Sequence, residues 1–183
     1  MCGKDEVRQK LKIARRLFQG VARESADDAV FENFMAAYSS RKSFFIYNSF
    51  ADEADTKALS AALYGMGKRV CLPRVEGENI VPAPYGDKMK KGAFGVFEPL
   101  GQAVCADFEV TVVPLLAVNS RGYRVGYGKG FYDRYLSAAK TLKVGLGYYF
   151  QLEDFDEDGW DQPLDAFVCE RGIFYFGEEK SSK

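Results

Sequence analysis

Residues 113–136 read VPLLAVNSRGYRVGYGKGFYDRYL, and the fold turns on how this stretch changes periodicity. Val110, Val112 and Val113 lead into it as a buried strand, which Pro114 ends because it has no N–H for a ladder. Gly122, Gly126, Gly128 and Gly130 follow. Glycine at that density costs backbone entropy, so it implies that backbone must come close to something. From Phe131 the apolar spacing Phe131, Tyr135, Leu136, Ala139 is helical. Strand, glycine loop, helix is the geometry in which free amides and a helix N-terminus hold phosphate.

Working outward, the same alternation recurs. Residues 43–48 (SFFIYN) form an apolar strand, a helix starts at Asp55 or Thr56 and stops at the glycines 65–67, and residues 69–73 (RVCLP) form the next strand. That is a βαβ crossover, for which parallel pairing is the default. Residues 142–149 supply a strand after the central helix, and 166–169 and 173–176 supply the last two. Two helices are expected ahead of the sheet. One spans 4–18, with Val7, Leu11, Ala14 and Phe18 on its apolar stripe and Lys4, Arg8, Lys12, Arg15 and Arg16 around it. The other spans 27–38, announced by Ser25 and the acids Asp27 and Asp28. Residues 76–101, rich in glycine and proline, read as a long excursion with brief strands, and 153–161 (EDFDEDGWD) as a solvated acidic loop. The chain is expected to be one α/β domain over 1–183, with an N-terminal helix within 1–20 and a polar tail at 178–183.

Composition narrows the chemistry. With 25 basic against 26 acidic residues there is no field to favour a polyanion, so nucleic acid is not an expected partner. No apolar run reaches membrane-span length and the first ten residues lack a signal-peptide core; a cytoplasmic protein that does not engage membranes is expected. Cys2, Cys71, Cys105 and Cys169 lack C-x-x-C spacing and read as free thiols, three of them in apolar strand-like surroundings. The chain has no histidine, which removes Ser-His-Asp and Cys-His relays and His-ligated zinc. Eleven Tyr and 15 Phe suit either a thick core or a site for flat rings.

The glycine loop fits neither common phosphate motif. Gly128-Lys129 is followed by Gly130 rather than a hydroxyl, and Gly126, Gly128 and Gly130 are spaced G-x-G-x-G. Its company is distinctive: Arg124 and Lys129 place cations beside free amides, and Asp133 lies one turn past Gly130, where a carboxylate can hold Mg²⁺ or simply complement the helix N-terminus. Tyr127, Phe131 and Tyr132 add flat faces. Together they point to a nucleotide-dependent step on an aromatic substrate. Lys4 and Arg8, one turn apart, are either a solvated face or a two-pronged anion clamp.

The run 124–134 (RVGYGKGFYDR) closely resembles the glycine-loop signature of the 5-formyltetrahydrofolate cyclo-ligase family, also called 5,10-methenyltetrahydrofolate synthetases. Further segments agree in order and spacing from residue 4 to about 171: Lys4-x-x-x-Arg8, Tyr47-Asn48-Ser49 with Glu53, Asp55 and Thr56, the run 67–74 (GKRVCLPR), Gly95-Val96-x-Glu98-Pro99, and Asp161-x-Pro163-Leu164-Asp165.

The resemblance implies a three-layer α/β fold with a mixed, mostly parallel sheet flanked by helices. It also implies a monomer active in one-carbon metabolism. The implied reaction converts 5-formyltetrahydrofolate, with or without a polyglutamate tail, ATP and Mg²⁺ to 5,10-methenyltetrahydrofolate, ADP and phosphate. By the same resemblance Lys4, Arg8, Arg124 and residues 126–132 (Gly126, Tyr127, Gly128, Lys129, Gly130, Phe131, Tyr132) contact ATP. Asn48, Glu53, Tyr127, Gly128, Lys129, Gly130 and Phe131 contact the folate; Lys129, Arg124 and Tyr132 act in catalysis; Asp133 and Asp161 hold Mg²⁺. Glu53 has a plain alternative as a helix-start acid, and Glu98 as part of a structural turn. Two positions depart from the family pattern: Val118-Asn119 stands where Phe-Asp is usual, and Cys169 where Thr is usual. The rival reading is a non-catalytic folate- or nucleotide-binding relative.

Overall fold

A computed structural model describes residues 3–86, 88–92 and 94–177; the tail expected at 178–183 and Cys2 lie outside them. Helices α1 (Lys4–Leu17) and α2 (Val21–Tyr38) precede strand β1 (Ser43–Ile46), helix α3 (Lys57–Gly65) and strand β2 (Arg69–Glu76). Then come β3 (Asn79–Pro84), β4 (Met89–Lys91), β5 (Phe97–Pro99), β6 (Val110–Val113), β7 (Ala117–Val118) and β8 (Arg124–Val125). Helix α4 (Phe131–Ala138), β9 (Leu142–Leu146), a 3₁₀ turn (Tyr149–Gln151), β10 (Ala166–Cys169) and β11 (Gly172–Tyr175) complete the chain.

Seven strands form one mixed sheet in the order β11-β10-β9-β6-β1-β2-β3. The five inner strands are parallel, and β11 and β3 close the edges antiparallel. Inner strands buried on both faces need apolar residues at every position, and β1, β6 and β10 are buried throughout. Their side chains alternate between two cores. Phe44, Ile46, Val110, Val112, Val144 and Val168 face the cluster that includes Val30, Phe34, Leu59 and Leu63 of α2 and α3. Val113, Phe167 and Cys169 face Leu136 of α4, while Phe45 and Cys71 meet Tyr135 on that side. Each fully buried aromatic or aliphatic side chain contributes roughly 1.5–3 kcal/mol.

The mixed, mostly parallel sheet agrees with the sequence reading; several boundaries do not. Helix α2 begins at Val21, six residues before the expected start. Gly20, at φ +67°, separates it from α1, and exposed Val21 gave the first turn no apolar stripe to read. The excursion at 76–101 hides a full edge strand, β3, hairpinned to β2 around Gly77 at φ +61°. Pro82 and Pro84 disguised it, and an edge is where a strand tolerates proline. The strand expected over 142–149 ends at Leu146. Cys71 and Cys169 are buried free thiols, and burial pushes Cys71 up to about 11, but Cys105 is exposed rather than strand-like.

The connectivity reverses direction at β1. Its successor β2 lies on one side, whereas β6 lies on the other. The loops leaving β1 and β6 therefore diverge from adjacent strand ends, and the crevice between them is where ligands bind in open α/β sheets.

Candidate active site

The loop after β6 is framed before it opens. β7 and β8 pair antiparallel, and Asn119, fully buried, closes their turn. Its Oδ1 accepts N–H bonds from Arg121 and Tyr123, both 3.0 Å, while Nδ2 donates to the carbonyl of Phe155 at 3.1 Å. The amide supplies a donor that a carboxylate lacks, so Asn119 acts here as a turn brace. Gly122, at φ +84°, is needed because a Cβ there would lie 2.8 Å from the carbonyl of Leu164. Past Val125 the surroundings change. A Cβ on Gly126 would meet nothing within 4 Å, and one on Gly128, at φ +87°, only the Arg8 guanidinium at 3.9 Å. Lys129 is exposed, and its ammonium makes no hydrogen bond or ion pair among the described residues. Gly130, left-handed at φ +69°, turns the chain into α4.

The loop after β1 is the opposite, a closed knot of short bonds. Thr56 Oγ1 donates to the carbonyl of Tyr47 at 2.6 Å and accepts from Ser49 N at 2.9 Å. Ser49 Oγ donates to Asp55 Oδ1 at 3.0 Å, and the same carboxylate accepts from Lys57 N, the first residue of α3, at 2.9 Å. Glu53, 9% exposed, accepts from Phe50 N at 2.9 Å and from the hydroxyl of Tyr127 at 2.7 Å. Burial raises its pKa against the opposing effect of those bonds and of Arg15. The Tyr127 bond joins the two loops directly. A polar cavity of about 380 Å³ borders the knot, with Arg23, Asp27, Glu53, Asp55 and Lys57 in its wall. Asn48 is turned to the β4–β5 hairpin, donating to the carbonyl of Phe97 at 2.9 Å.

Helix α1 brings its cations to the glycine loop. Arg8 Nε donates to the carbonyl of Gly126 at 3.0 Å and its Nη1 pairs with Asp5. Lys4 binds Asp158 at 2.6 Å and also Asp161. Burial works against the Lys4 charge, but hydrogen bonds to Asp158 and Asp161 hold its pKa above the ordinary value. Arg124, 6% exposed, donates to Asp133 at 2.9 Å and to the carbonyl of Gln162 at 3.1 Å. One guanidinium thus ties the α4 acid to the residue after Asp161. The acidic run is accordingly less of a free loop than its composition implies: Phe155 is 1% exposed and Asp161 accepts from Asp158 N at 2.7 Å.

Asp133 and Asp161 offer the hard oxygen donors that Mg²⁺ takes. Asp133 Oδ2 and Asp161 Oδ1 carry no hydrogen bond among the described residues, so each acid keeps an oxygen for a cation. No group of three acids or thiols converges among the described residues, so phosphate and water would complete the shell. Tyr132 is half-buried and packs against both the α2/α3 core and the α4 core of the sheet, and burial, with the Glu53 charge second, pushes its phenol well above the ordinary range. Phe131 contacts Phe94 edge-on at 5.8 Å. Glu98, in the middle of β5, is buried with its carboxylate against Gly92 of the hairpin turn, as a structural residue would be.

The sequence reading missed two arginines. Arg15, placed among the solvated cations, is 3% exposed; its spacing from Val7 and Leu11 puts it on the buried stripe, and that was the available signal. Arg23 donates to the carbonyls of Ala51 and Glu53 at 3.0 and 2.9 Å, steadying the turn in which Ala51 adopts φ +53°.

A mixed α/β sheet with a glycine loop and a carboxylate loop meeting across its switch point is the framework of an enzyme acting on small molecules. Residues 1–170 match the 5-formyltetrahydrofolate cyclo-ligase family, and the chain belongs to that family. Its structure resembles that of Aquifex aeolicus 5,10-methenyltetrahydrofolate synthetase, with a TM-score of 0.86, 32% identity and coverage of 98% of this chain and 96% of that one. The Haemophilus influenzae 5-formyltetrahydrofolate cyclo-ligase is 28% identical over 176 residues, 88% of this chain and 94% of that protein. A 65-residue segment is 48% identical to the Mycoplasma genitalium 5-formyltetrahydrofolate cyclo-ligase, covering 34% of this chain and 39% of that protein. No helix among the described residues is long and apolar enough to cross a membrane.

Proposed function

We propose that the chain converts 5-formyltetrahydrofolate and ATP, with Mg²⁺, to 5,10-methenyltetrahydrofolate, ADP and phosphate. Family membership supports the substrate, and one observation supports the assignment of parts: Tyr127 of the glycine loop bonds directly to Glu53 of the β1 loop, so phosphate and folate sites abut. The formyl oxygen of an N-formyl group leaves poorly. Its attack on the γ-phosphorus releases ADP; N10 then attacks the formyl carbon, the C–O bond breaks, phosphate departs and the N10 proton is lost. No side-chain nucleophile is needed, in keeping with a chain lacking histidine. The protein supplies position and charge.

In this reading Lys129, Lys4 and Arg8 receive the phosphates, together with the amides around Gly126, Gly128 and Gly130. Arg124 positions the Asp133 carboxylate through the bonds its guanidinium makes to Asp133 and the Gln162 carbonyl. Asp133 and Asp161 would hold Mg²⁺, which supplies neutralisation of the phosphate charge. Glu53 offers its remaining lone pairs to pterin N–H groups, and Asn48 and Phe131 flank the ring. Tyr132, packed against the sheet, serves as a wall. The chain is expected to work as a cytoplasmic monomer on folate with or without a polyglutamate tail. Mixing folded protein with 5-formyltetrahydrofolate, Mg²⁺ and ATP should produce the methenyl chromophore with equimolar ADP. Ligand binding without turnover would favour a non-catalytic relative instead.

A further inference from the structure

We propose that Arg15 is a positioning residue that sets Glu53 and Tyr127 for the folate, so that the helix carrying the nucleotide cations also fixes the folate loop. The proposal rests on the reading of Glu53 as a folate contact. One buried guanidinium reaches three segments: Nη1 donates to the carbonyl of Leu115, just past β6, at 3.1 Å; Nη2 donates to Asp52 of the β1 loop at 2.6 Å and to the hydroxyl of Tyr127 in the glycine loop at 2.7 Å. It also lies 5.7 Å from the Tyr127 ring centroid. With Arg15 on its lone pair, the Tyr127 hydroxyl turns its proton to Glu53 Oε1. Phe50 N fixes Oε2. Both carboxylate oxygens are thereby oriented, and their remaining lone pairs have defined directions.

Arg15 is a poor source of stability. Its charge is buried and its Nε–H lacks an acceptor among the described residues, the circumstances in which an apolar side chain of similar size does as well. Three directed bonds onto two ligand loops instead suit placement. Along α1, Lys4 and Arg15 stand roughly 16 Å apart at the helical rise, so one rigid element spans both halves of the site.

The test is a double-mutant cycle on the steady-state constants. Arg15→Met should raise the KM for 5-formyltetrahydrofolate about tenfold or more, and the KM for ATP about threefold or less. Arg15→Lys, which keeps the charge but not the fork, should fall between. In a Glu53→Gln background Arg15→Met should add about threefold or less, because its route to the folate is gone. The acid limb of the folate kcat/KM profile should also move to higher pH in Arg15→Met, since Glu53 loses the cation that opposes its raised pKa. Equal effects in both backgrounds, or equal rises in both KM values, would overturn the proposal while leaving Glu53 in place. A Glu53→Gln enzyme with unchanged folate KM would overturn the folate reading of Glu53 and the proposal with it. If Arg15→Met does not fold, Arg15→Lys is run through the same cycle beside Tyr127→Phe, which breaks the bridge from its other end: both folate effects should shrink in the Glu53→Gln background, and an Arg15→Lys effect undiminished there would overturn the proposal.

Discussion

Two loops leave adjacent strands at the switch point, and they are built on opposite plans. The β1 loop spends its polar groups on itself: Thr56, Ser49, Asp55 and Glu53 are all bonded within the loop or to its neighbours. The β6 loop, once past its brace at Asn119 and Gly122, leaves Gly126 open, Gly128 with only the Arg8 guanidinium nearby and Lys129 exposed. A loop that must present one carboxylate in a fixed direction gains from being closed. A loop that must wrap a polyphosphate gains from open amides and a free cation. In the proposed assignment, rigidity in this site therefore lies on the folate side.

The largest effect that could break this comparison is on turnover. Lys129→Ala should cut kcat about 10²–10³-fold, as loss of one charge-stabilising donor does. Its exposed position should leave the thermal midpoint almost unmoved. An enzyme that lost stability and not turnover would place Lys129 in the frame. Next is Thr56→Val, which orphans the buried Tyr47 carbonyl and Ser49 N–H; denaturant unfolding should show a loss of about 2–3 kcal/mol. A change within about 0.5 kcal/mol, the range of an ordinary surface substitution, would deny the loop its locked character. The two plans also meet within the glycines. Gly128→Ala should cost only the strain of φ +87°, roughly 1–2 kcal/mol, because the new Cβ has room. Gly122→Ala, which adds a clash with Leu164 and Phe176 to similar strain, should cost distinctly more, and equal costs would erase the difference between frame and mouth.

The smallest effect is one of pH. Burial raises the Glu53 pKa, so the stability this carboxyl contributes is present below its unfolded value near 4.5 and is lost as pH rises through the higher folded value. Gln carries no such loss. Urea titrations across that interval should therefore show the stability of Glu53→Gln relative to the wild type increasing as pH rises, and a relative stability that falls with pH would mean the closed loop stabilises the ionised form.

How much of this was legible in the chain follows the same division. The open loop was legible as a glycine-rich turn from strand to helix, because glycines, cations and an acid are crowded into 124–134. The parallel core did too, through its unbroken apolar strands. The closed loop was visible only as residue types: nothing in Ser49, Asp55 or Thr56 said that their hydroxyls and carboxylate bond one another, because those bonds depend on where β1 stops and α3 starts. Arg15 was hidden for a related reason. A cation reads as solvated until its partners are known, and Asp52 and Tyr127 are 37 and 112 residues away. Edge strand β3 was masked by its own prolines, whose missing N–H groups matter little at a sheet's border.

In the proposed reaction the two loops deliver the γ-phosphate of ATP to the formyl oxygen. Substrate labelled with ¹⁸O at that oxygen tests it directly, by mass analysis of the phosphate released as the methenyl product forms. One labelled oxygen is expected in each phosphate. Label appearing in water, with unlabelled phosphate, would contradict it.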